Sequence, residues 1–284
     1  MIDTAVVCGA GTMGSGIAQA MAMSGIRTLL YDINPDMLDR ARRDVDTSLN
    51  QLTEKGKLTS SERDAAVALI LCTNDIHACL GDVVIEAVAE KMDVKKALFR
   101  KLADLNTPDT ILASNTSSLS IAAIAEGIPF PERVCGMHFF NPAIRMKLVE
   151  VVEGPRTSPS VSEAVLALAR HLGKTPVLCR DAPGFIVNRV ARHYYLESLR
   201  LLEAGACSAS DMDRLLESIG FRMGPFRLMD LIGNDVNLAV SRSLYEASGK
   251  APRFRPSAIQ EAKVATGALG KKTGSGFYRY DAPE

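Results

Sequence analysis

Three glycines near the start of the chain, Gly9, Gly11 and Gly14, form a G-x-G-x-x-G pattern that restricts the fold more than any other feature of the sequence. The pattern follows an apolar stretch, TAVVCGAG, that predicts a buried strand, and it opens a stretch, TMGSGIAQAMAMSG, that predicts a helix ended by Gly25. A second predicted strand, IRTLLYD, completes a right-handed βαβ unit. In this context the glycines provide a tight turn, room for a pyrophosphate and close helix–strand packing. The sequence therefore predicts a dinucleotide-binding site.

A carboxylate at the end of the second predicted strand narrows the choice of dinucleotide. Asp32 follows Gly14 by eighteen residues, and a carboxylate there can hold both ribose hydroxyls. It would repel a 2′-phosphate, so the expected cofactor is NAD rather than NADP. The amides at the start of the helix, at Thr12 and Met13, are expected to bind the phosphates, helped by the helix dipole. A flavin or another nucleotide in the same kind of crevice is the alternative.

Strands and helices continue to alternate up to residue 182. The stretches DVVIEAVAE, TILASNTSS and RVCGMHFF predict further strands with helices between them, which is the pattern of a Rossmann-type, doubly wound α/β sheet. One stretch, from Pro35 to about Leu71, instead predicts two helices joined by a short basic turn, with Ser60 or Ser61 as the cap of the second helix. This helix pair should project from the sheet as an antiparallel arm.

The chain has 284 residues, which is long for one core, and the stretch DAPGF marks the predicted domain boundary. Residues 1–182 are expected to form the NAD-binding domain with its helical arm, at about residues 35–71. Residues 183–284 are expected to form a smaller all-helical domain for substrate binding and dimerisation, with a cleft between the two domains.

Charge and cysteine content exclude several other classes of protein. Lys and Arg together number 33, as do Asp and Glu, so no global basic field favours nucleic acid or an anionic membrane. The six cysteines lie at no metal-ligand spacing, so no metal is expected, and free thiols in a reducing cytosol are the plain interpretation. The chain has no apolar run of membrane-spanning length and opens without a basic n-region or cleavage site, so the expected location is the cytoplasm.

The stretch GMHFFNP places His138 at the end of an apolar run, before two phenylalanines and a proline. The simplest interpretation is a half-buried histidine whose hydrogen bonds are satisfied within the fold. The alternative is a general base on the side of the sheet where ligands bind. A strand, turn and strand could bring Glu150, in the apolar stretch MKLVEVVEG, back to His138; an edge-strand acid reaching solvent explains it equally well.

Two further polar stretches are candidate site material. SNTSSLS, which contains Asn115 and Ser117, packs five hydroxyls and an amide just past a strand end. It is either a polar turn with an N-cap or a source of hydrogen bonds to substrate or nicotinamide. PGFIVNR begins the helical domain and places Asn188 inside an apolar helix, where a buried amide needs partners and a ligand is one candidate.

Together, these motifs resemble the 3-hydroxyacyl-CoA dehydrogenases of the short, single-function type, often called 3-hydroxybutyryl-CoA dehydrogenases. The matching stretches occur in the family's order and cover essentially the whole chain: GAGTMGSGIAQ, SNTSSLSI, GMHFFNP, MKLVEVV, PGFIVNR, MGPF and GKKTGSGFY. The resemblance implies NAD-dependent, reversible oxidation of an (S)-3-hydroxyacyl-CoA to a 3-oxoacyl-CoA, with a short acyl chain such as 3-hydroxybutyryl. It also implies a homodimer formed through the helical domain.

The resemblance implies a role for each catalytic candidate. His138 takes the proton of the 3-hydroxyl as hydride leaves C3 for the nicotinamide, and Glu150 orients His138 and stabilises the imidazolium. Asn141 helps to fix the His138 region. Ser117 and Asn188 hydrogen-bond the substrate near its 3-oxygen.

Binding residues follow from the same resemblance. The implied cofactor contacts are Gly9, Gly11, Thr12, Met13, Gly14, Asp32, Glu90, Lys95, Asn115 and Lys271. Ser48 and Lys55 in the arm, with Lys57 nearby, match the region that meets the CoA phosphates. Where the family commonly has NPAPVMKL, this chain has NPAIRMKL. The new Arg145 is either a solvated surface residue or a recognition group for a carboxylate at the far end of a 3-hydroxyadipyl-CoA-type substrate.

Two other classes of protein share features with this sequence. A β-hydroxyacid dehydrogenase acting on free acids shares the glycine loop, but it relies on a catalytic lysine and needs no arm. A non-catalytic relative, like the lens crystallins recruited from this family, need not retain its site residues. All four of Ser117, His138, Glu150 and Asn188 are present, which favours activity. No hydratase-like domain is expected within these 284 residues.

Overall fold

The computed structural model describes residues 2–280 and separates into two compact units between Ala182 and Pro183. The first unit is a β-sheet with helices, and the second contains helices and short 3₁₀ turns. The separation falls within the stretch DAPGF, where the sequence places its domain boundary.

One eight-stranded sheet forms the centre of the first unit. Its strands are β1 (Thr4–Cys8), β2 (Arg27–Tyr31), β3 (Ile70–Thr73), β4 (Val83–Glu86), β5 (Ile111–Ser114), β6 (Val134–Phe139), β7 (Leu148–Glu153) and β8 (Thr175–Arg180). Their order is β3-β2-β1-β4-β5-β6-β7-β8, and neighbours are parallel except β6 and β7, which are antiparallel. The chain reverses its direction across the sheet between β1 and β4, which is the switch point where such sheets bind ligands. The predicted Rossmann-type fold class is confirmed.

Helices cover the faces of this sheet. They are α1 (Thr12–Met23), α2 (Pro35–Glu54), α3 (Ser60–Ala68), α4 (Met92–Leu105), α5 (Ile121–Ile124) and α6 (Pro159–His171). Ile17 and Met21 of α1 pack in one core with Val7 of β1 and Leu30 of β2. Because helices lie on both faces, the central strands are nearly continuous apolar runs, which is why the sequence reveals them.

The helices α2 and α3 form the predicted antiparallel arm. Val45 and Leu49 of α2 and Ala66 of α3 are buried in a small core of their own, which also includes Ala22 of α1. The base of the arm is therefore seated on the helix that follows the glycine loop.

Two details of the arm differ from the sequence-based prediction. The cap of α3 is Thr59, not Ser60 or Ser61, and it forms a capping box in which Glu62 accepts a hydrogen bond from the Thr59 N–H. The predicted helical end at about Leu71 is also wrong, because that residue lies in β3, which pairs with β2. A four-residue strand directly after a helix offers too little periodicity to be recognised.

The second unit is helical, as predicted. Its helices are α7 (Val187–Glu203), α8 (Ala209–Ser218), α9 (Pro225–Ile232), α10 (Asn234–Ala247) and α11 (Ala258–Ala265). Its core contains Tyr195, Leu199, Met212, Phe226 and Met229. Gly233, with a φ of 104°, separates α9 from α10.

Candidate active site

The glycine loop between β1 and α1 has the geometry that its sequence predicts. Gly9 has a φ of 109°, in the left-handed region, and a Cβ there would lie 2.6 Å from the carbonyl oxygen of Ala87. A Cβ on Gly14 would overlap the carbonyl oxygen of Gly9, so close helix–strand packing requires glycine there. A Cβ on Gly11 would meet nothing within 4 Å. The loop therefore leaves open space beside Gly11, which is the room that a pyrophosphate needs.

Backbone donors and a fixed carboxylate border this space. Gly11 is the N-cap of α1 and provides no side-chain acceptor, so the first amides of the helix, at Thr12 and Met13, have no side-chain cap. Asp32, directly after β2, accepts a hydrogen bond from the Ala10 N–H at 2.7 Å. Amides for phosphates, space for the pyrophosphate and a carboxylate for the ribose together fit a dinucleotide.

His138 and Glu150 lie directly opposite each other in the antiparallel pair β6–β7. The His138 Nδ1 is 2.8 Å from the Glu150 Oε2, and the two residues are only 5% and 1% exposed. The alternative of an edge-strand acid reaching solvent is wrong for Glu150, because β8 lies outside β7 as the edge strand.

This pairing decides which ring nitrogen of His138 can accept a proton. The carboxylate accepts the proton on Nδ1, so the lone pair of the neutral ring is on Nε2. The ring of Phe140 packs against the imidazole with 4.5 Å between centroids. An oriented imidazole beside a buried carboxylate can take a proton from a hydroxyl group, and Glu150 then stabilises the resulting imidazolium.

The polar stretch after β5 is held by Glu90 and by the end of β6. Oε1 of Glu90 accepts hydrogen bonds from Thr116 Oγ1 at 2.5 Å and from the Ser117 N–H at 3.0 Å. Oδ1 of Asn115 accepts a hydrogen bond from the Phe139 N–H at 2.8 Å. The stretch is therefore more than a polar turn, because the side chain of Asn115 ties it to the strand that carries the histidine.

A buried ion pair that the sequence pattern conceals lies behind Glu90. Lys95 is 1% exposed, and its Nζ lies 2.6 Å from Glu86 and 3.1 Å from Glu90. Burial alone would raise the pKa of Glu90, but Lys95 and the hydrogen bonds from the stretch after β5 hold that pKa below its ordinary value. The Lys95 ammonium is thus engaged by two carboxylates, so any influence on a cofactor would act through Glu90.

The turn after β6 is anchored by a lysine that sequence reasoning missed. Lys174 Nζ donates to the carbonyl oxygens of Ala143 at 2.5 Å and Met146 at 3.0 Å. Asn141 lies in the same turn, in a cis peptide with Pro142, and its side chain is exposed. Asn141 is thus three residues beyond His138, in the turn that follows the histidine's strand, and its expected role in fixing the His138 region stays a prediction.

A cavity of about 620 Å³ lies between the arm and the same turn. Its lining includes Ser48, Lys55 and Lys57 of the arm and Arg145 of the turn. None of the three cations forms a salt bridge with another described residue, so the cavity is positively charged. The structure therefore groups Arg145 with the basic arm.

Two predicted site residues belong to the second unit. Asn188 lies in the first turn of α7, within the helix as predicted, and is half-buried. Lys271 begins a 3₁₀ turn, Lys271–Thr273, and is exposed. Its neighbour Lys272 pairs with Asp235 at 2.7 Å.

A larger cavity, of about 1110 Å³, lies at the opposite end of the sheet. Its lining includes residues that precede the strands, such as Asp3, Gly25, Asp82 and Thr110. Doubly wound sheets bind their ligands at the carboxyl ends of the strands, so this cavity is not the cofactor site. In the part of the chain that the structure describes, no group of His, Cys, Asp and Glu residues could hold a metal ion.

Comparison with known proteins identifies the class. A model described as "3-hydroxyacyl-CoA dehydrogenase, NAD binding domain" matches residues 4–182, and one described as "3-hydroxyacyl-CoA dehydrogenase, C-terminal domain" matches residues 184–280. The chain belongs to the 3-hydroxyacyl-CoA dehydrogenase family. The predicted family, the enzyme class of an NAD-dependent 3-hydroxyacyl-CoA dehydrogenase, and NAD as the cofactor are thereby confirmed.

Three relatives illustrate the similarity. The 3-hydroxyadipyl-CoA dehydrogenase of Escherichia coli K12 is 48% identical over 283 residues, which are 99% of this chain and 60% of that protein. The crystal structure of 3-hydroxybutyryl-CoA dehydrogenase from Escherichia coli K12 matches with a TM-score of 0.98 and 47% identity, over 100% of this chain and 61% of that one. The crystal structure of (S)-3-hydroxybutyryl-CoA dehydrogenase from Ralstonia eutropha matches with a TM-score of 0.96 and 37% identity, over 99% and 100%.

The chain thus spans about 60% of the length of the first two relatives and the full length of the third. An acyl-CoA substrate fits the family. Within residues 2–280, no helix combines the length and the apolar character that a membrane crossing requires.

Proposed function

We propose that this chain interconverts a short-chain (S)-3-hydroxyacyl-CoA, such as 3-hydroxybutyryl-CoA, and the corresponding 3-oxoacyl-CoA. The observation that carries the proposal is the buried pair of His138 and Glu150 at the carboxyl end of β6. Because β6 is parallel to β1 through β4 and β5, this end lies on the same edge of the sheet as the glycine loop. A dinucleotide loop and an oriented base on one edge are the two parts that oxidation of an alcohol needs.

In the oxidative direction, His138 accepts the proton of the 3-hydroxyl at Nε2. Bound NAD would supply the acceptor for the hydride that leaves C3. Glu150 keeps Nδ1 protonated and stabilises the imidazolium, so the basic nitrogen stays directed away from the carboxylate. In the reverse direction the imidazolium returns its proton to the oxygen of the reduced substrate.

The remaining site residues act by binding and positioning. Ser117 and Asn188 hydrogen-bond the substrate near its 3-oxygen, and Asn115 and Glu90 contact the cofactor. Lys95 positions Glu90, since its ammonium is buried between two carboxylates. Exposed Lys271 contributes a cation to cofactor binding, and Asn141, in the turn after β6, helps to fix the His138 region.

The arm binds the CoA part of the substrate. Ser48, Lys55 and Lys57 line the cavity with Arg145, and three cations without acid partners among the described residues suit phosphate groups. We therefore assign Arg145 to CoA binding. This assignment replaces the hypothesis that Arg145 recognises a carboxylate at the far end of the acyl chain.

A homodimer in the cytoplasm is the proposed form of the protein. The support for dimerisation is a set of large apolar side chains that are exposed on the second unit: Leu215, Ile219, Phe221, Leu231 and Val236. Sedimentation velocity would give a dimer mass for the wild type and a monomer mass for Ile219→Glu if this surface is the interface.

The first experiment is NADH oxidation by the purified protein with acetoacetyl-CoA, repeated with His138→Gln. Turnover that depends on His138 supports the proposed reaction, and absence of turnover with every 3-oxoacyl-CoA tested contradicts it. A dicarboxylyl-CoA is the second candidate substrate, favoured by the 48% identity to a 3-hydroxyadipyl-CoA dehydrogenase.

A further inference from the structure

A buried arginine without an acid partner lies in the second unit. Arg192 of α7 is 4% exposed, and its Nη1 donates to the carbonyl oxygen of Asn237 at 2.9 Å, to Asn237 Oδ1 at 3.1 Å and to Ser241 Oγ at 3.0 Å. The ring of Tyr195 covers one face of the guanidinium, with 4.7 Å from Cζ to the centroid. These contacts fix the position of the guanidinium. No carboxylate among residues 2–280 pairs with it, so its charge is not compensated by an acid.

The Nε–Nη2 edge of the Arg192 guanidinium takes no part in these hydrogen bonds. Its three hydrogen bonds all come from Nη1, and its buried Nε has no partner in the described part of the chain. Nε and Nη2 form the side of a guanidinium that binds a carboxylate through two parallel hydrogen bonds. The group is therefore held in place by one nitrogen while its carboxylate-binding edge is unused.

The polar cluster of Arg192, Asn237 and Gln260 contains a second hydrogen-bond donor without a partner among the described residues. Asn237 Oδ1 accepts from both Arg192 and Gln260 Nε2, the latter at 2.9 Å, which fixes the orientation of that amide. Asn237 Nδ2 is then a buried donor without a partner within residues 2–280. Of the three unpaired atoms of the cluster, two are donors, and the third is Gln260 Oε1.

Charge makes this arrangement costly unless an anion binds. Burial lowers the pKa of Arg192 to about 10, so the side chain is still protonated at neutral pH. A buried cation is normally paired, because an isolated charge loses its hydration without compensation. The absence of an acidic partner for Arg192 among the described residues is explained if a carboxylate of a bound ligand pairs with the guanidinium.

We propose that Arg192 binds a carboxylate at the far end of the acyl group, so that the preferred substrates are short dicarboxylyl-CoA thioesters. The inference rests on the proposed function, in which Asn188 lies near the substrate's 3-oxygen. Asn188 and Arg192 are four residues apart on α7, so they share a face and are separated by about 6 Å along the helix axis. A few methylene groups beyond C3 bridge such a separation.

A pair of substrates that differ only in charge tests the inference on the unmodified protein. NADH oxidation is measured with 3-oxoadipyl-CoA and with its ω-methyl ester, and acetoacetyl-CoA serves as the reference. We expect kcat/KM for the free carboxylate to exceed that for the ester by at least about 30-fold, as removal of charge-assisted hydrogen bonds predicts. In Arg192→Met this preference should be lost, while turnover of acetoacetyl-CoA stays within a few-fold of wild type.

The matched control is Arg200→Met, which removes a cation from the same helix. The Arg200 side chain already donates hydrogen bonds to Glu197 and to the carbonyl oxygens of residues 252 and 253. This variant should keep the full preference for the carboxylate. Wild-type protein that reduces acetoacetyl-CoA but does not distinguish acid from ester overturns the inference and leaves the proposed function intact. Failure to reduce any of the three thioesters contradicts the proposed function itself.

One further outcome would also overturn the inference. If Arg192→Met lowers kcat/KM equally for all three thioesters and changes the oligomeric mass in sedimentation, Arg192 pairs with a carboxylate of a second copy of the chain. Thermal unfolding of both variants, followed by circular dichroism, shows whether either measurement was made on folded protein.

Discussion

The Nδ1 atom of His138 lies 2.8 Å from Oε2 of Glu150 because β6 and β7 are antiparallel, in a sheet whose other described neighbours are parallel. An antiparallel pair sets residues directly opposite each other, with short distances between side chains on the same face. Two residues twelve positions apart in the sequence therefore meet in a buried site. The reversal at β7 is thus the feature of the fold that creates the acid–base pair.

Removal of the base should affect turnover far more than binding. His138→Gln should lower kcat by about 10²- to 10⁴-fold, the usual contribution of general acid–base catalysis. Glu150→Gln should lower kcat less than His138→Gln, because an imidazole remains but has lost its oriented tautomer and its charge stabilisation. NADH affinity, measured by fluorescence titration, should change little in either variant. A rise in KM with an unchanged kcat would mean that His138 binds substrate and is not the base.

Two glycines of one motif should respond differently to alanine. Gly14→Ala should unfold or strongly destabilise the protein, since its Cβ would overlap the carbonyl oxygen of Gly9. Gly11→Ala should fold normally, since nothing lies within 4 Å, yet it should weaken NADH binding by at least about 10-fold because the methyl group enters the space for the pyrophosphate. Urea unfolding and NADH titration measure the two effects. Normal NADH affinity in Gly11→Ala would place the pyrophosphate elsewhere.

The acid after β2 should control the choice between NADH and NADPH. Asp32→Ala should raise KM for NADH by about 10-fold, because the ribose hydroxyls lose a charge-assisted acceptor, and it should improve use of NADPH by removing a repulsion. Asp32 also accepts a hydrogen bond from Ala10 N–H, so Asp32→Asn is the control that keeps an acceptor at this position. An unchanged ratio of kcat/KM for the two cofactors in both variants would contradict this role.

Features encoded by adjacent residues were predictable from the sequence. The glycine loop and Asp32 belong to one local βαβ unit, so spacing along the chain was enough to find them. The burial of Lys95 could not be predicted, because the residue lies in a polar helix and its ammonium is enclosed only by tertiary contacts, with Glu86 at the end of β4 and with Glu90. The burial of Arg192, in α7, could not be predicted for the same reason. Its burial depends on Asn237 and Ser241, which lie 45 and 49 residues further along the chain.

Acid should loosen the stretch after β5. The pKa of Glu90 is below its ordinary value in the folded chain, so its carboxylate stabilises the fold fully above the unfolded pKa of about 4.3. This contribution is lost as the pH falls through the lower, folded pKa. Glu90→Gln should therefore be less stable than wild type at pH 7, and the difference should shrink below about pH 4. Urea unfolding at several pH values measures it, and a difference that is constant with pH would show that the charge of Glu90 does not matter.

Arg145 should act on the CoA part of the substrate and not on the acyl part. It lines the arm cavity with Lys55 and Lys57, where no acid among the described residues neutralises the three cations. Arg145→Ala and Lys55→Ala should each raise KM for acetoacetyl-CoA several-fold with kcat nearly unchanged, because the lost interaction is the same in the ground state and the transition state. Neither variant should affect acetoacetyl-N-acetylcysteamine, which carries the thioester without the nucleotide.

High salt should raise the KM of the wild type for acetoacetyl-CoA towards that of the variants, because salt screens contacts that face solvent. Arg42→Ala, which removes an arginine from α2 that lies 3.6 Å from Asp39, controls for the net charge of the arm.

The original hypothesis for Arg145 makes the opposite prediction. If Arg145 recognised a distal carboxylate, Arg145→Ala would penalise 3-oxoadipyl-CoA far more than acetoacetyl-CoA, and the truncated thioester would behave like its CoA counterpart. An equal rise in KM for the two CoA thioesters, absent from the truncated one, would assign Arg145 to the nucleotide.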